Sequence, residues 1–239
     1  MKKFELTAEV KEFFGIKLFR IKAIVAFGDV RAGELGGWVE KESNLAQYGN
    51  AWVFDDALVY DDALVYGNAW VYGNARVYGD ARVYGDALVY GDALVSGDAR
   101  VSGDALVSGD ALVCDDARVY GNAWVYGDAL VCDDALVYGN AWVYGNARVS
   151  GDARVCDDAR VYGDALVSGN ARVYDDAWVS GDARVYGDAD WITLSPIGSE
   201  NGVLTAFRKK EALLNKSEPV MTAPHTGRLL RDANTVRHS

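Results

Sequence analysis

The segment from Ala51 to Asn74, AWVFDDALVYDDALVYGNAWVYGN, contains four hexads of one pattern: Ala, variable, Val, variable, Gly or Asp, Asn or Asp. The pattern continues without a break to Asp188 and gives 23 copies. Every first slot is Ala and every third slot is Val. Self-similarity at a fixed period is typical of solenoids, in which each copy forms one structural unit.

The slots of the hexad predict a short strand followed by a tight corner. Small apolar residues alternate with larger ones, so Ala and Val point inward while the second and fourth slots point outward. The fifth slot is Gly in 17 copies and Asp in six. Gly, and after it Asn and Asp, tolerates a positive φ, which predicts a left-handed backbone conformation at each corner.

The tryptophans of the repeat set the number of hexads in one coil. All of their spacings are multiples of three hexads, so three hexads per coil place them on one side: Trp52, Trp70, Trp124, Trp142 and Trp178. We therefore predict an all-β fold, a single-stranded, three-sided parallel β-helix of about 7.7 coils, which is 23 hexads divided by three. At about 4.8 Å between neighbouring strands, the prism is roughly 37 Å long.

Three segments carry a resemblance to a known family. They are LFRIKAIVAFGDVRAGELGGWV (Leu18 to Val39), the GNAxVYGDA hexads, and ITLSPIGSENGVLTAFRKK (Ile192 to Lys210). The chain resembles the hexapeptide-repeat left-handed β-helices and, more closely, the uncharacterised YdcK-like proteins with their prophage-borne relatives. Left-handed winding is what the resemblance implies; the period does not show it, because most parallel crossovers are right-handed.

The non-repeating ends are expected to cap the prism, because an open β-helix end exposes unpaired strand edges. We predict a cap and first coil in residues 1–50, with a hairpin lid from Phe4 to Phe27 around Gly15. The repeat domain spans 51–188, and a second hairpin cap in 189–210 turns near Gly198 to Gly202. Residues 211–239 lack periodicity and hold two of the three prolines, so we expect a disordered tail.

One side of the prism is predicted to be an aromatic docking surface. Large exposed apolar patches usually mark interaction sites, so we expect self-association or a protein partner here. The other interpretation is that stacked rings only stabilise in-register strands. The predicted binding residues are Trp52, Trp70, Trp124, Trp142, Trp178, Tyr72, Tyr126 and Tyr144.

Arginines and cysteines on the other sides suggest weaker sites. A ladder that could bind a polyanion contains Arg82, Arg100, Arg118, Arg154 and Arg172. The repeat has 23 Asp against nine Arg, so we expect these arginines instead to pair with corner aspartates and stack on tyrosines.

Cys114 and Cys132 are three hexads apart, each followed by two Asp, and Cys156 lies on another side. Without a histidine nearby, we expect reduced structural thiols and no metal site.

Several classes of function are disfavoured by missing residues. The net charge of −11 argues against nucleic-acid binding, and no long apolar run or signal peptide is present, so we expect a cytoplasmic protein. Hexapeptide acyltransferases use a histidine base and γ-type carbonic anhydrases need three histidine ligands, yet the two histidines are His225 and His238. Ice-binding β-helices need threonine arrays, which the repeat lacks. We therefore expect no enzyme, no catalytic residue and no cofactor.

Three hypotheses remain. The leading one is a non-catalytic structural or interaction protein, a rigid acidic prism that presents its aromatic side to itself or to a protein partner. The second is an acyltransferase-like protein without a catalytic histidine of its own in the coil. The third is an acidic β-helix that imitates nucleic acid, against which the arginine ladder argues.

Deletions of different length test the coil of three hexads. Removal of three hexads, Ala87 to Asp104, should leave every later side chain on its original side. Removal of one hexad, Ala87 to Asp92, should rotate all later sides by one and split the tryptophans between two sides. Mass in solution and melting temperature measure the effect, and identical behaviour of the two deletions would contradict the assigned period.

Overall fold

Each hexad forms one short strand of a three-sided β-helix in the computed structural model, which describes residues 2–188, 190–193 and 205–208. Before the repeat lie β1 (Phe4–Phe13), β2 (Ile16–Ala23), β3 (Leu35–Val39) and a 3₁₀ turn, Glu42–Asn44. The repeat then contributes β4 (Trp52–Val53), β5 (Leu58–Val59), β6 (Leu64–Val65), β7 (Trp70–Val71), β8 (Arg76–Val77), β9 (Arg82–Val83), β10 (Leu88–Val89), β11 (Leu94–Val95), β12 (Arg100–Val101), β13 (Leu106–Val107), β14 (Leu112–Val113), β15 (Arg118–Val119), β16 (Trp124–Gly127), β17 (Leu130–Val131), β18 (Leu136–Val137), β19 (Trp142–Gly145), β20 (Arg148–Val149), β21 (Arg154–Val155), β22 (Arg160–Gly163), β23 (Leu166–Val167), β24 (Arg172–Val173), β25 (Trp178–Val179) and β26 (Arg184–Val185). Beyond the repeat lie β27 (Asp190–Thr193) and β28 (Thr205–Arg208).

Every third strand belongs to the same sheet, which confirms the coil of three hexads. Sheet one runs β4-β7-β10-β13-β16-β19-β22-β25. Sheet two runs β1-β2-β3-β5-β8-β11-β14-β17-β20-β23-β26, and sheet three runs β6-β9-β12-β15-β18-β21-β24-β27-β28. Within the repeat all pairs are parallel and in register, as between Trp124 and Trp142.

The direction of the backbone hydrogen bonds gives the hand of the coil. Take an extended strand of L-residues that runs upward, and look at it from the side toward which one side chain points. The backbone N–H of that residue then points to the right. The outward residues Trp70, Arg100 and Trp124 donate their N–H groups to the following coil, to Ala87 (2.9 Å), Ala117 (2.9 Å) and Ala141 (2.9 Å). Seen from outside, the chain therefore advances to the right of an upward strand, and the β-helix is left-handed.

The core consists of two columns of small side chains on each side of the prism. All Ala and Val residues of the repeat from Ala51 to Val179 expose at most 1% of their surface. The second-slot side chains, such as Leu130, point outward and are half-buried or exposed along most of the prism. Ala and Val thus fill the interior along the repeat, as the alternation predicts, while larger side chains such as Phe4, Ile21 and Trp52 join the core at the amino-terminal end.

The corners adopt the predicted backbone conformation. All six Asp corners have a positive φ, between 51° and 59°. The Gly corners of the repeat also have a positive φ, between 59° and 73°. At Gly85 an added Cβ would lie 2.8 Å from the backbone nitrogen of Gly103 in the next coil. Where Asp replaces Gly, its carboxylate can accept a hydrogen bond from the next corner's N–H, as Asp133 does from Gly151 at 2.9 Å.

Hairpins occupy both ends of the solenoid. Strands β1 and β2 pair antiparallel around a turn at Phe14 and Gly15, and β3 then pairs with β5 in parallel. At the other end β27 pairs parallel with β24 and antiparallel with β28. The predicted turn near Gly198 to Gly202 and the predicted disordered tail, 211–239, lie outside the described residues. No helix in the described ranges is long and apolar enough to cross a lipid bilayer.

Substitutions on the two sides of a strand test the packing of the core. Ala123→Leu adds bulk to a fully buried position, and we expect it to destabilise the fold by about 1–3 kcal/mol, as overpacking usually does. Leu130→Ala removes an outward side chain and should lower the melting temperature much less. Thermal unfolding followed by circular dichroism compares the two variants, and equal losses would contradict the inward direction of the Ala column.

Candidate functional site

Sheet one carries the predicted aromatic surface, which we call the aromatic face: Trp70, Tyr72, Trp124, Tyr126, Trp142, Tyr144 and Trp178. Parallel register places the second-slot and fourth-slot side chains in two columns along the sheet. Trp124 exposes 40% of its surface, and the other members are half-buried. The strands β16, β19 and β22 are longer than their neighbours and extend the flat part of the sheet here.

Rings of the aromatic face stack because the strands are in register. The Trp124 and Trp142 rings are 5.1 Å apart with an interplanar angle of 3°. Tyr144 stacks on Tyr126 and on Tyr162, with centroids 4.9 Å apart in both pairs. Burial raises the pKa of Tyr126 and of Tyr144, so their hydroxyl groups stay neutral. The ring spacing equals the strand spacing, so each coil adds one layer to the surface.

Arg160 continues the tryptophan column as a cation between two rings. Its guanidinium lies 4.7 Å from the Trp142 ring centroid and 5.3 Å from that of Trp178. Arg160 was assigned no role from the sequence. Arg160 lies one coil after Trp142 and one coil before Trp178 in the sequence. This spacing could have identified the position of its guanidinium between the two rings.

Trp52 is a correction to the predicted aromatic surface. Its side chain is completely buried, because Phe4 and Phe27 of the amino-terminal cap cover it with ring centroids at 6.1 Å and 5.3 Å. Gly36 permits this close packing, since an added Cβ there would lie 2.8 Å from Cζ2 of Trp52. Trp52 therefore anchors the cap and is not available to a partner.

The arginine ladder lies on sheet three, as predicted, but its expected pairing is wrong. All five arginines are exposed, and none of them belongs to the ion pairs of the described residues, which join Lys2 to Glu42, Lys11 to Asp56, Arg20 to Glu9 and Lys41 to Asp62. Nor do they stack on tyrosine rings among those residues. The reason is geometric: the arginines occupy second slots in mid-strand, whereas the aspartates lie at the corners. Binding of a polyanion by these arginines stays a prediction.

The cysteines form one cluster and one separate site. Cys114 and Cys132 lie in successive coils of sheet two, and their sulfurs and a carboxylate oxygen of Asp115 are all within 4.8 Å of one another. Burial, together with Asp115, raises the pKa of the Cys114 thiol to about 12. Cys156 is buried on sheet three, and its Sγ lies 3.4 Å from Asp157.

Catalytic groups of the usual hexapeptide type are missing from the described coils. Ser96 and Ser108, on different sheets, are buried, and no histidine occurs between residues 2 and 193. His225 and His238 both lie outside the described residues. The geometry of the described prism therefore offers surfaces and a thiol cluster, but no base and nucleophile in contact.

Comparison with known sequences identifies a family. Ten overlapping matches to the family profile described as "YdcK Beta solenoid repeat" cover residues 57–97 and 99–181, more than half of the chain. A relative from Escherichia coli (strain K12), named "Uncharacterized acetyltransferase YdcK", is 40% identical over 63 residues. That match covers 23% of this chain and only 19% of the relative's length.

The solved structures that match this chain share little sequence with it. LpxA from Acinetobacter baumannii matches with a TM-score of 0.43 and 8% identity, over 62% of this chain and 70% of that one. The UDP-N-acetylglucosamine acyltransferase of Francisella novicida gives 0.32 and 11%, over 59% and 62%. A hexapeptide transferase family protein from Anaplasma phagocytophilum gives 0.29 and 15%, over 65% and 81%.

These findings correct the prediction that the protein is not an enzyme. A relative in the same family carries the name acetyltransferase, so the lack of a histidine in the repeat does not exclude this chemistry. The earlier inference set aside His225 and His238 because they lie beyond the repeat. A general base needs only to reach the acceptor hydroxyl, and a residue from outside the coil can do so.

Proposed function

Because the chain belongs to the YdcK β-solenoid family, we propose that it is an acetyltransferase-type β-helix that works as an assembly, with the aromatic face as the contact between two copies. The observation that carries the docking role is the confinement of the repeat's tryptophans to sheet one. All five tryptophans of the repeat lie there, and four remain at the surface. Tryptophan and tyrosine dominate the binding energy of protein interfaces.

Strand stabilisation alone does not account for this distribution. Tyrosine stacks occur on all three sheets, for example Tyr72 on Tyr90 (4.8 Å) on sheet one, Tyr60 on Tyr78 (5.0 Å) on sheet two and Tyr66 on Tyr84 (4.8 Å) on sheet three. Stacking between coils is therefore available on every side without tryptophan. The larger indole rings on one side supply contact area that the stacks do not need.

Charge also favours this face for contact. The aspartates lie at the corners, whereas the outward slots of sheet one hold aromatic and aliphatic side chains, the serines Ser108 and Ser180, and the single cation Arg160. Two copies approaching through this face keep their acidic corners at the rim, where water and salt screen them. The net charge of −11 opposes the encounter over long distances, so we expect association to strengthen as salt increases.

Paired substitutions test the aromatic face. The double change Trp124→Ala and Trp142→Ala removes the two stacked rings from the outside of the prism and leaves the Ala and Val columns intact. We expect the fold to persist and self-association to be lost, because truncation of an interface hot spot costs about 2 kcal/mol or more. Sedimentation velocity at two salt concentrations measures the association.

A matched control lies on sheet three. Arg100→Ala with Arg118→Ala removes two outward side chains from neighbouring coils, in the same slot as Trp124 and Trp142. This variant should associate like the wild type. A wild-type monomer, or a larger loss from the arginine pair than from the tryptophan pair, would overturn the docking role and leave the tryptophans as stacking residues. Capture of a different protein without self-association would overturn the homotypic contact.

Acetyl transfer is the second part of the proposal, and the named E. coli relative supports it. We place the general base outside the described coils, with His225 and His238 as the candidate side chains, since histidine is the commonest base in such proteins. We expect saturable binding of acetyl-CoA by calorimetry. With water as the acetyl acceptor, we expect slow hydrolysis to acetate and free CoA, measured by chromatography. The double variant His225→Asn and His238→Asn should keep the binding and lose the hydrolysis. Absence of acetyl-CoA binding to the wild type would overturn this part.

A further inference from the structure

Two thiols lie side by side on sheet two because the coil repeats every three hexads. Cys114 follows β14 and Cys132 follows β17, and these strands pair in parallel with Val113 opposite Val131. The N–H of Cys114 donates to the carbonyl oxygen of Val131 at 3.0 Å, which holds the two residues in adjacent coils. Both thiols are free and half-buried at the end of the sheet, where the chain turns.

A carboxylate completes the cluster. Cys114 Sγ lies 3.4 Å from Oδ2 of Asp115, and the two sulfurs and the Asp115 oxygen are mutually within 4.8 Å. Asp133, one coil later, is used differently, because its Oδ2 accepts the Gly151 N–H at 2.9 Å and lies 3.9 Å from the Cys132 sulfur. Asp115 has no such backbone partner among the described residues, so its carboxylate remains available to a ligand.

We propose that Cys114, Cys132 and Asp115 bind one thiophilic divalent cation of the zinc class. Bond lengths of about 2.3 Å to sulfur and 2.0–2.2 Å to oxygen, in tetrahedral geometry, require ligand atoms roughly 3.5–3.8 Å apart. The observed separations reach this arrangement with side-chain movements of about 1 Å or less. Two thiolates select Zn²⁺, Cd²⁺ or Co²⁺ over Mg²⁺ and Ca²⁺, and three protein ligands leave a fourth position for water.

Electrostatics of this corner favour a cation. Asp115, Asp116, Asp133 and Asp134 lie at equivalent positions of neighbouring coils, and none of the ion pairs of the described residues involves them. Parallel register places their like charges about 5 Å apart, where they repel. A bound divalent cation offsets this repulsion, whereas an oxidised pair of thiols would leave it unchanged. Sequence reasoning favoured plain structural thiols here; the contact distances between the three side chains change that interpretation.

Cobalt titration of the full chain tests the site. In the presence of a non-chelating phosphine reductant, Co²⁺ should bind one equivalent and give the visible d–d absorption of a tetrahedral thiolate complex, which one equivalent of Zn²⁺ removes. Cys114→Ser and Cys132→Ser should each abolish the thiolate spectrum, and Asp115→Asn should weaken the binding. Cys156→Ser is the matched control, because that thiol also precedes two aspartates but has no second sulfur within reach among the described residues. It should bind like the wild type.

Protection of the thiols from alkylation is measured on the wild type alone, so the result does not depend on whether the variants fold. Zn²⁺ should slow the alkylation of Cys114 and Cys132 by iodoacetamide, while the rate at Cys156 stays the same, as read by peptide mass spectrometry. Spectra unchanged in Cys114→Ser and Cys132→Ser would overturn the site. Weak binding of several equivalents of Co²⁺ that does not depend on the cysteines would also overturn the site, because the ligands would then be corner carboxylates only. A Cys114–Cys132 disulfide that persists in the reductant, with no cobalt bound, would also overturn it.

Discussion

The whole prism depends on one constraint, the positive φ of the fifth residue of each hexad. This conformation turns the chain after every short strand, and all 23 corners adopt it, 17 with Gly and six with Asp. Space is as restrictive as the dihedral angle, because a Cβ at Gly85 would approach the backbone nitrogen of Gly103 to 2.8 Å. Three of the six aspartates add a hydrogen bond at the corner: Asp55, Asp61 and Asp133 use their carboxylates to accept the N–H of the corner one coil later.

Identical corners place identical slots on top of one another, and each column then becomes a ladder. Aromatic rings are 4.8–5.1 Å apart in their stacked pairs, which is the spacing of the strands themselves. Asn side chains at the sixth slot donate to the side-chain oxygen one coil later, as Asn68 does to Asp86 at 3.0 Å. Where the slots vary, the same translation places Arg160 between two tryptophans and Cys114 beside Cys132.

In this repeating fold, the residues that stabilise the interior are different from the residues that are available for function. The interior of the described coils is filled by Ala and Val and leaves no room for a substrate, so chemistry and recognition are confined to the outer slots, the corners and the ends. The aromatic face lies on one sheet, and the thiol cluster lies at the end of another, so changes at one need not disturb the other. The proposed acetyl transfer relies on groups outside the packed columns, so the lack of histidine in the repeat was a poor argument against an enzyme.

The sequence by itself determined the period, the three sides, the inward columns and the conformation of the corners. It could do so because each of these follows from a pattern that recurs with every hexad or with every coil. Only the tertiary structure decided that Trp52 is buried, that the arginines of the ladder form no ion pair with corner aspartates of the described residues, and that Asp133 but not Asp115 accepts the N–H of the next corner. Those outcomes depend on non-repeating segments such as the Phe4 to Ala23 hairpin, or on the directions of individual side chains. A residue's slot gives its neighbours in the next coil, but it does not give what covers it or which hydrogen bond it makes.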